Sequence, residues 1–191
     1  PISLLATDIE IQITTHQISQ GSGSEDASIT VAARKLQDIL RALPDGEVSL
    51  VLDDKRLTLK AGKSRYALQT LPAADYPRMQ LNTGESLTVR LSQKDFRRQL
   101  AQVAYAMAAQ DIRYYLNGLL MQVQDNELRM VATDGHRLAL SSNTLSEEFA
   151  KTEVILPRKT VLELTRQLAD TEDPVEIVIT GNQACFRFGP I

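Results

Sequence analysis

The sequence predicts an α+β fold built from two copies of one antiparallel domain. Three observations support this prediction. Segments with alternating apolar residues, which are typical of strands, outnumber segments with helical periodicity. Short turn motifs separate these segments, and short connections favour antiparallel sheets. A set of motifs also recurs after about 125 residues, a period that suits duplicated domains better than a solenoid.

Three pairs of segments in the two halves of the chain match in order and spacing. Their offsets are 126, 124 and 127 residues, so the register is nearly constant over the repeat. Each match is short, but together they indicate two copies of one fold. The pairs are Ala-Thr-Asp at 6–8 and 132–134, Arg-Lys at 34–35 and 158–159, and the strand-like residues 57–62 and 184–189.

The same order of elements is predicted in each copy. The first copy reads as strands at 2–14, 28–32, 47–53, 55–61 and 64–70, with one helix at 33–43. The second copy reads as strands at 86–91, 117–125, 127–133, 136–142, 153–156, 175–180 and 183–188, with helices at 93–107 and 158–169. Hairpin turns are predicted at Asp53-Asp54, Asp125-Asn126 and Gly181-Asn182.

Residues 71–84 have no periodicity and contain two prolines, which is typical of an interdomain linker. The predicted boundaries are a first domain at 1–77, a linker at 78–85 and a second domain at 86–191. The chain starts at Pro1 with strand-like sequence and stops just after another strand-like run. We therefore expect a piece of a longer protein, in which the first domain lacks its beginning and the second its end.

Composition limits the classes of function. The net charge of −3 excludes a protein-wide attraction to nucleic acid, so any DNA binding must use locally concentrated charge. The single cysteine, Cys185, excludes an internal disulfide and fits the cytoplasm; we expect it to be a small buried residue in a strand. The sequence has no recognisable signal peptide and no apolar stretch long enough to span a membrane.

Each predicted helix has an apolar face and an opposite face that carries basic residues. The apolar faces are Leu36, Ile39, Leu40 and Leu43; Phe96, Leu100, Val103 and Met107; and Val161, Leu164 and Leu168. The outer faces carry Arg34 and Arg41 beside Asp38; Lys94, Arg98, Gln102 and Tyr105 with no acid among them; and Lys159 and Arg166 beside Glu163. Such faces can be ordinary solvated surface, or, in repeated domains, a band that contacts phosphates without reading sequence.

Residues 110–118, between a helix and a strand, form a predicted loop rich in polar and aromatic side chains. Tyr114 and Tyr115 cannot both face inward in an extended segment, so at least one should be exposed. Together with Gln110 and Arg113, they can contact phosphate and sugar or stack on an unpaired base. The alternative is that one tyrosine packs on the sheet and the other closes the loop. A stand-alone module that grips single strands is a further alternative.

Asp134-Gly135 between two apolar runs predicts a hairpin turn, and the turn carries one of the two histidines, His136. An Asp-His pair can belong to a general base or a metal site. No second histidine, cysteine ligand or nucleophile motif accompanies it, so we expect no catalytic residue, cofactor or metal. Residues 146–148 (Ser-Glu-Glu) are expected in a solvated loop.

Four segments resemble the beta subunit of bacterial DNA polymerase III. They are residues 70–77 (TLPAADYP), 110–118 (QDIRYYLNG), 131–139 (VATDGHRLA) and 156–159 (LPRK). The resemblance implies a DNA-clamp fold of three similar domains per chain, with helices on the inner, DNA-facing side. Two chains would close head to tail around duplex DNA; here the third domain would be absent. It also implies a non-catalytic subunit.

The resemblance also assigns roles to residues. The implied DNA contacts are Arg34, Arg41, Lys94, Arg98, Gln110, Arg113, Tyr114, Tyr115, Arg158, Lys159 and Arg166. One wall of a pocket for partner peptides would comprise Leu116, Thr133, Gly135, His136, Arg137 and Leu138. The homodimer interface would use Lys35, Ile39, Tyr66 and Leu68. Implied partners are double-stranded DNA, the polymerase catalytic subunit, the clamp loader, and other polymerases and repair proteins that carry short peptide motifs.

Overall fold

Antiparallel pairing joins neighbouring strands throughout the computed structural model, which describes residues 2–17 and 26–191. The predicted α+β class is confirmed. In chain order the elements are β1 (Ile2–Thr7), β2 (Gln12–Gln17), β3 (Ile29–Val31), α1 (Ala33–Ala42), β4 (Ser49–Asp53), β5 (Arg56–Ala61), β6 (Ser64–Pro72), β7 (Ser86–Ser92), α2 (Gln93–Ala104), β8 (Gly118–Thr133), β9 (Leu138–Pro157), α3 (Arg158–Gln167), β10 (Pro174–Thr180) and β11 (Gln183–Arg187). Short 3-10 turns occupy Ala73–Asp75 and Tyr114–Leu116.

The chain divides into two compact units. The small unit contains the described residues 26–78, and the large unit contains 2–17 together with 79–191. These units differ from the predicted domains because β1 and β2 belong to the large unit. The backbone N–H of His16, for example, donates to the carbonyl of Pro190 over 3.0 Å. The predicted domain boundaries stay a prediction.

The small unit is a four-stranded sheet in the order β3-β6-β5-β4, with α1 beside it. Leu57, Leu59 and Leu68 form its buried core. Of the predicted apolar face of α1, Leu36, Ile39 and Leu43 are only half-buried and Leu40 is exposed. Three buried leucines offer too little surface to cover the helix. β6 continues through residues 71–72 and pairs with β3, so the first two residues of the aperiodic segment 71–84 are strand.

The large unit has the larger core. β10 lies between β7 and β11, and the long hairpin of β8 and β9 packs against α2 and α3. Fully buried side chains from each layer meet in this core, among them Phe96, Leu119, Met130, Val161 and Ile177. Cys185 is half-buried rather than buried, because β11 is at the edge of its sheet.

The hairpin of β8 and β9 bends in the middle where the sequence predicts a turn. Asp125 has a φ of 52°, but β8 continues past it, so the predicted turn at Asp125-Asn126 is wrong. Val123 pairs with Thr152 and Glu127 with Thr144. Between these two pairs, β9 therefore contains more residues than β8. The predicted loop at 146–148 is therefore part of β9. The turn predicted at Gly181-Asn182 is confirmed, and the turn predicted at Asp53-Asp54 lies one residue later, at Asp54-Lys55, because Asp53 pairs with Arg56 at the end of β4.

The helix ends also differ slightly from the prediction. α2 stops at Ala104 because the backbone N–H groups of Ala106 and Met107 bond three residues back, to Val103 and Ala104. α3 stops at Gln167 because Leu168 is extended.

The predicted strand at 2–14 is two strands, and the turn between them matches the turn between β8 and β9. The Thr7 hydroxyl donates to the carbonyl of Ile11 over 2.7 Å, and Asp8 Oδ1 accepts the backbone N–H groups of Glu10 and Ile11 over 3.2 and 3.1 Å. Residues 133–137 repeat this pattern: Thr133 donates to the Arg137 carbonyl over 2.7 Å, and Asp134 Oδ1 accepts from His136 and Arg137 over 3.0 and 3.1 Å. The recurring Ala-Thr-Asp motif therefore builds the same turn twice.

The third residue of each turn has positive φ, at 79° for Ile9 and 89° for Gly135. Ile is strained there, because its branched Cβ meets the backbone, whereas Gly is not. Ile9 is 75% exposed, so its side chain contributes little burial. We expect Ile9→Gly to raise the free energy of unfolding by about 0.5–1 kcal/mol, the relieved strain less the added chain entropy of Gly. Urea denaturation of the chain measures this change.

Gly135→Ala is the matched control and should lower the free energy of unfolding by about 1 kcal/mol, because it introduces the same strain. A lower urea midpoint for Ile9→Gly than for the wild type would contradict the strain argument.

Candidate nucleic-acid interface and peptide-binding surface

α2 and α3 lie side by side and antiparallel, with bonds between them at both ends. Near the start of α2, Gln93 Oε1 accepts the backbone N–H of Ala169, and the backbone N–H of Lys94 donates to Thr171, over 3.1 and 3.0 Å. Near its other end, Arg158 Nη1 donates to the carbonyl of Met107 over 3.3 Å. The two helices therefore have a defined register, and their outer faces form one continuous surface.

The sequence of α2 explains which side is outward. Ser92 caps the helix, its Oγ accepting the backbone N–H of Asp95 over 3.1 Å. Gln99, on the inner side, is buried and donates from Nε2 to the carbonyls of Leu128 and Ser141, which attaches the helix to β8 and β9. The predicted inner face (Phe96, Leu100, Val103 and Met107) is confirmed as buried, and the predicted outer face (Lys94, Arg98, Gln102 and Tyr105) as exposed.

α3 follows the same plan. Its predicted inner residues Val161, Leu164 and Leu168 are buried, while Lys159 and Arg166 are exposed. Arg158 is half-buried, and its side chain bonds the carbonyl of Met107. An open depression of about 510 Å³ on this helix is lined by Arg158, Lys159, Leu162, Glu163 and Arg166.

Two exposed residues of this surface were missed by sequence reasoning. Leu162 lies between the cations of α3, and Arg97 is exposed on α2 three residues after Lys94. Within residues 2–17 and 26–191, Arg97 has no ion pair. Its i+3 spacing from Lys94 is the signal that could have found it.

Carboxylates accompany the cations of this surface, which corrects the expectation of an outer face free of acids on α2. We call the following set the helix ion pairs: Lys94–Glu172 at 3.3 Å, Arg98–Asp95 at 2.9 Å, Arg166–Glu163 at 2.7 Å, and Lys159 with Glu10 at 3.0 Å and with Asp8. The bonds from Asp8 and Glu10 raise the pKa of Lys159, and the bond from Arg166 lowers the pKa of Glu163. Each cation of the set therefore has a carboxylate beside it that offsets much of its charge locally.

The loop at 110–117 lies at the end of the helix pair. The backbone N–H of Ala108 donates to Leu116, and that of Arg158, the first residue of α3, donates to Asn117, over 3.0 and 2.9 Å. The side chain of Asn117 bonds the backbone of Asp111 twice, both bonds at 2.8 Å. The loop is thus fixed to both helices.

Asp111 and Arg113 form an ion pair that braces this loop. Arg113 donates from Nε and Nη2 to the two carboxylate oxygens of Asp111, each over 2.9 Å. These bonds lower the pKa of Asp111 to about 2, and the pKa of Arg113 is raised in turn. The predicted phosphate contact Arg113 is therefore engaged within the loop.

Both tyrosines of the loop are exposed, Tyr114 by 81% and Tyr115 by 49%. The prediction that at least one would be exposed is confirmed. Their rings make an edge-to-face contact with centroids 5.8 Å apart. Gln110 is exposed beside them. The loop therefore presents aromatic faces and an amide next to the cations of the helices.

The turn between β8 and β9 comes close to this surface. The Arg137 guanidinium lies 5.5 Å from the ring centroid of Tyr105 at the end of α2, and its Nε also donates to Asp134 over 2.9 Å. Bonds from the backbone of His136 and Arg137 hold the pKa of Asp134 below its usual value. A Cβ on Gly135 would lie 3.4 Å from Arg113 Nη2, so the turn touches the braced loop.

The predicted pocket wall divides into exposed and buried residues. Gly135, His136, Arg137 and Leu138 are exposed, Thr133 is half-buried, and Leu116 is only 8% exposed. The side chain of Leu116 is therefore almost entirely inaccessible to a ligand. The Asp134 carboxylate bonds the backbone of the turn and the Arg137 side chain rather than the ring of His136. Residues 2–17 and 26–191 contain no group of three or more His, Cys, Asp and Glu side chains placed to hold a metal.

The remaining predicted residues lie in the small unit. Arg34, Lys35 and Arg41 are exposed on α1. Ile39 and Tyr66 are half-buried against the small core. Leu68 is 6% exposed, so its side chain belongs to the core and is not a surface contact.

No helix in the described part of the chain combines the length and apolar character needed to cross a membrane.

Two family models match the chain. The central domain of the DNA polymerase III beta subunit matches residues 90–191, and its N-terminal domain matches residues 1–80. The curated beta sliding clamp of Pseudomonas putida is 46% identical over 180 residues, covering 93% of this chain and 48% of the relative. The chain therefore spans about half the length of the curated relatives it matches.

Solved structures agree with the family models. The DNA polymerase III subunit beta of Pseudomonas aeruginosa has a TM-score of 0.92 and 39% identity, covering 98% of this chain and 51% of that one. A sliding clamp from the same organism, solved with griselimycin bound, has a TM-score of 0.86 and 41% identity, covering 93% of this chain and 48% of that one. The predicted clamp fold and the predicted family are confirmed: this chain belongs to the DNA polymerase III beta-subunit family.

Proposed function

We propose that this chain is part of a DNA sliding clamp, a ring subunit that encircles duplex DNA and keeps a replicative polymerase on it. The observation that carries the proposal is the continuous outer surface of α2 and α3. Its cations, Lys94, Arg98, Lys159 and Arg166, lie on two helices in fixed register, with Gln110 and the exposed tyrosines at one end. Membership of the beta-subunit family supports the same function.

Contacts of this kind suit sliding. Lysine and arginine side chains bind phosphates through charge and counterion release, with no dependence on base sequence. A closed ring is held on DNA by its topology, so each contact can be weak and can re-form at the next phosphate. In the complete ring, α1 would add Arg34 and Arg41, and Arg158 would contribute from the start of α3.

The ring would form from two chains arranged head to tail. Lys35, Ile39 and Tyr66 of the small unit are the surface we propose for closing it, with the other surface supplied by sequence beyond these 191 residues. Leu68 would support that surface from the core.

Partner proteins would bind at the turn between β8 and β9. Exposed Gly135, His136, Arg137 and Leu138 offer backbone, aromatic, cationic and apolar groups within a few residues, which suits a short, partly apolar peptide. Such peptides would come from the polymerase catalytic subunit, the clamp loader, and other polymerases and repair proteins. This chain supplies one wall of the pocket. We propose a non-catalytic role in the cytoplasm, without a cofactor.

The topological mechanism predicts that the complete subunit stays on nicked circular duplex DNA after loading but is lost from the same DNA once it is linearised, because a ring slides off free ends. Gel filtration of clamp–DNA complexes at about 0.15 M salt, where surface electrostatics are strongly screened, measures the retained fraction.

The control is the linear DNA with both ends blocked by bound protein, which should restore retention. Equal retention on open linear and circular DNA would contradict the sliding mechanism.

Removing cations from the helix surface should weaken electrostatic DNA binding. For Arg98→Gln combined with Arg166→Gln, we expect the affinity of the subunit for a short duplex to fall about ten-fold at low salt, because two phosphate contacts are lost. The slope of log affinity against log salt should fall by up to about 1.8. Fluorescence anisotropy over a salt series measures both quantities.

Lys151→Gln, which removes an exposed cation from β9, is the matched control and should leave the slope unchanged. An unchanged slope for the double variant would show that these arginines do not face DNA.

His136→Ala should weaken binding of a fluorescent partner peptide to the complete subunit about ten-fold, because the imidazole side chain that lines the proposed pocket wall is lost. Retention on circular DNA should be unaffected. His16→Ala, a change of the other histidine, should alter neither. Peptide affinity equal to that of the wild type would remove His136 from the proposed pocket.

A further inference from the structure

The helix ion pairs place a carboxylate beside each of four cations that we propose to face DNA. All four cation side chains keep about half or more of their exposure, from 48% for Lys159 to 72% for Arg166, so the pairs lie at the surface where phosphates would arrive. The carboxylates therefore occupy the positions that DNA phosphate oxygens would need.

Lys159 is the most heavily offset cation of the set. Asp8 and Glu10 both bond its Nζ, so the local group has one positive and two negative charges. These acids belong to the turn that the β8–β9 hairpin repeats, and in that second turn the position of Glu10 is occupied by His136. The duplicated turn thus presents an acid to the helix surface in one copy and a histidine to the proposed peptide pocket in the other.

We propose that the carboxylates of the helix ion pairs compete with DNA phosphates for the cations of α2 and α3, and so keep the affinity of this surface for DNA low. The inference rests on the proposed sliding function. It assigns a role to Glu10, Glu163 and Glu172, which are not themselves DNA contacts.

Exposed ion pairs are suited to this competition because they exchange partners easily. Both ions remain hydrated, so the pair adds little net stability and a phosphate can take the place of the carboxylate. Before exchange, the paired charges nearly cancel at distances beyond a Debye length, about 10 Å at 0.1 M salt. The surface therefore attracts DNA weakly, yet keeps cations in position for contact.

Weak attraction matters for a ring that must move. Each step along DNA breaks phosphate contacts, and a carboxylate within reach of the released cation lowers the barrier to breaking them. Arg97, which has no such carboxylate within the described residues, gives the surface an attraction that is not offset.

Glu10 provides the cleanest test because, among the described residues, its side chain bonds only Lys159. Glu10→Gln removes the charge and keeps the shape. We expect the complete subunit carrying Glu10→Gln to bind a short linear duplex about two- to five-fold more tightly at about 0.05 M salt, with the difference vanishing as salt rises. Glu163→Gln, at a separate pair, should have the same effect, and fluorescence anisotropy measures both.

Glu153→Gln is the matched control, since the Glu153 carboxylate bonds Lys151 and Gln122 and no cation of α2 or α3 among the described residues. The affinity of this variant for DNA should equal that of the wild type. Unchanged or weaker binding by both Glu10→Gln and Glu163→Gln overturns the inference. Failure of the wild-type subunit to stay on circular DNA is a different result, because it overturns the proposed sliding function itself. Tighter binding by all three variants also overturns the inference, since it would reflect net charge rather than local competition.

Discussion

The bonds that join the ends of α2 and α3 determine where each candidate contact of the large unit lies. Gln93 holds one end and Arg158 the other, so neither helix can slide along its partner. A shift of one turn would move a side chain by about 5.4 Å along the helix axis. The backbone N–H of the same Arg158 also donates to the carbonyl of Asn117, which attaches the loop at 110–117. Helices and loop therefore form a single rigid surface.

The two faces of these helices divide stability from function. Phe96, Leu100 and Val161 are fully buried, and burial of large apolar side chains supplies most of the stabilisation of a domain. The outward residues contribute little to that core. Their ion pairs are exposed, and exposed pairs add little free energy. The outer surface can consequently change its charge during evolution without loss of the fold, whereas the inner face cannot.

The duplicated turn shows the same separation on a smaller scale. In both copies, the threonine hydroxyl and one oxygen of the aspartate carboxylate bond backbone groups of the turn, and these bonds do not depend on the side chains that follow. The remaining positions are free to vary. Ile9 and Glu10 occupy them in one copy, Gly135 and His136 in the other. One local structure thereby presents two surfaces with different chemistry.

Local sequence patterns determined the helices, the buried faces of α2 and α3, and the turn at Gly181-Asn182. A helix or strand repeats its environment every few residues, so these features can be predicted without knowing distant parts of the chain. Motif resemblance likewise identified the family from short segments alone. Side-chain alternation predicted at least one exposed tyrosine at 114–115; the structure places both in a 3-10 turn, and both are exposed.

Tertiary structure decided the features that depend on distant residues. Lys94 and Glu172 are 78 positions apart, and Lys159 and Glu10 are 149 apart, so periodicity within a helix gave no sign of these acids. The bend at Asp125 continues a strand where a turn motif suggested a reversal, because the partner strand β9 pairs with β8 on both sides of it. Sequence alone thus determined the buried faces of α2 and α3, and tertiary packing determined which charges meet on their outer surface, because only the folded chain brings remote segments together.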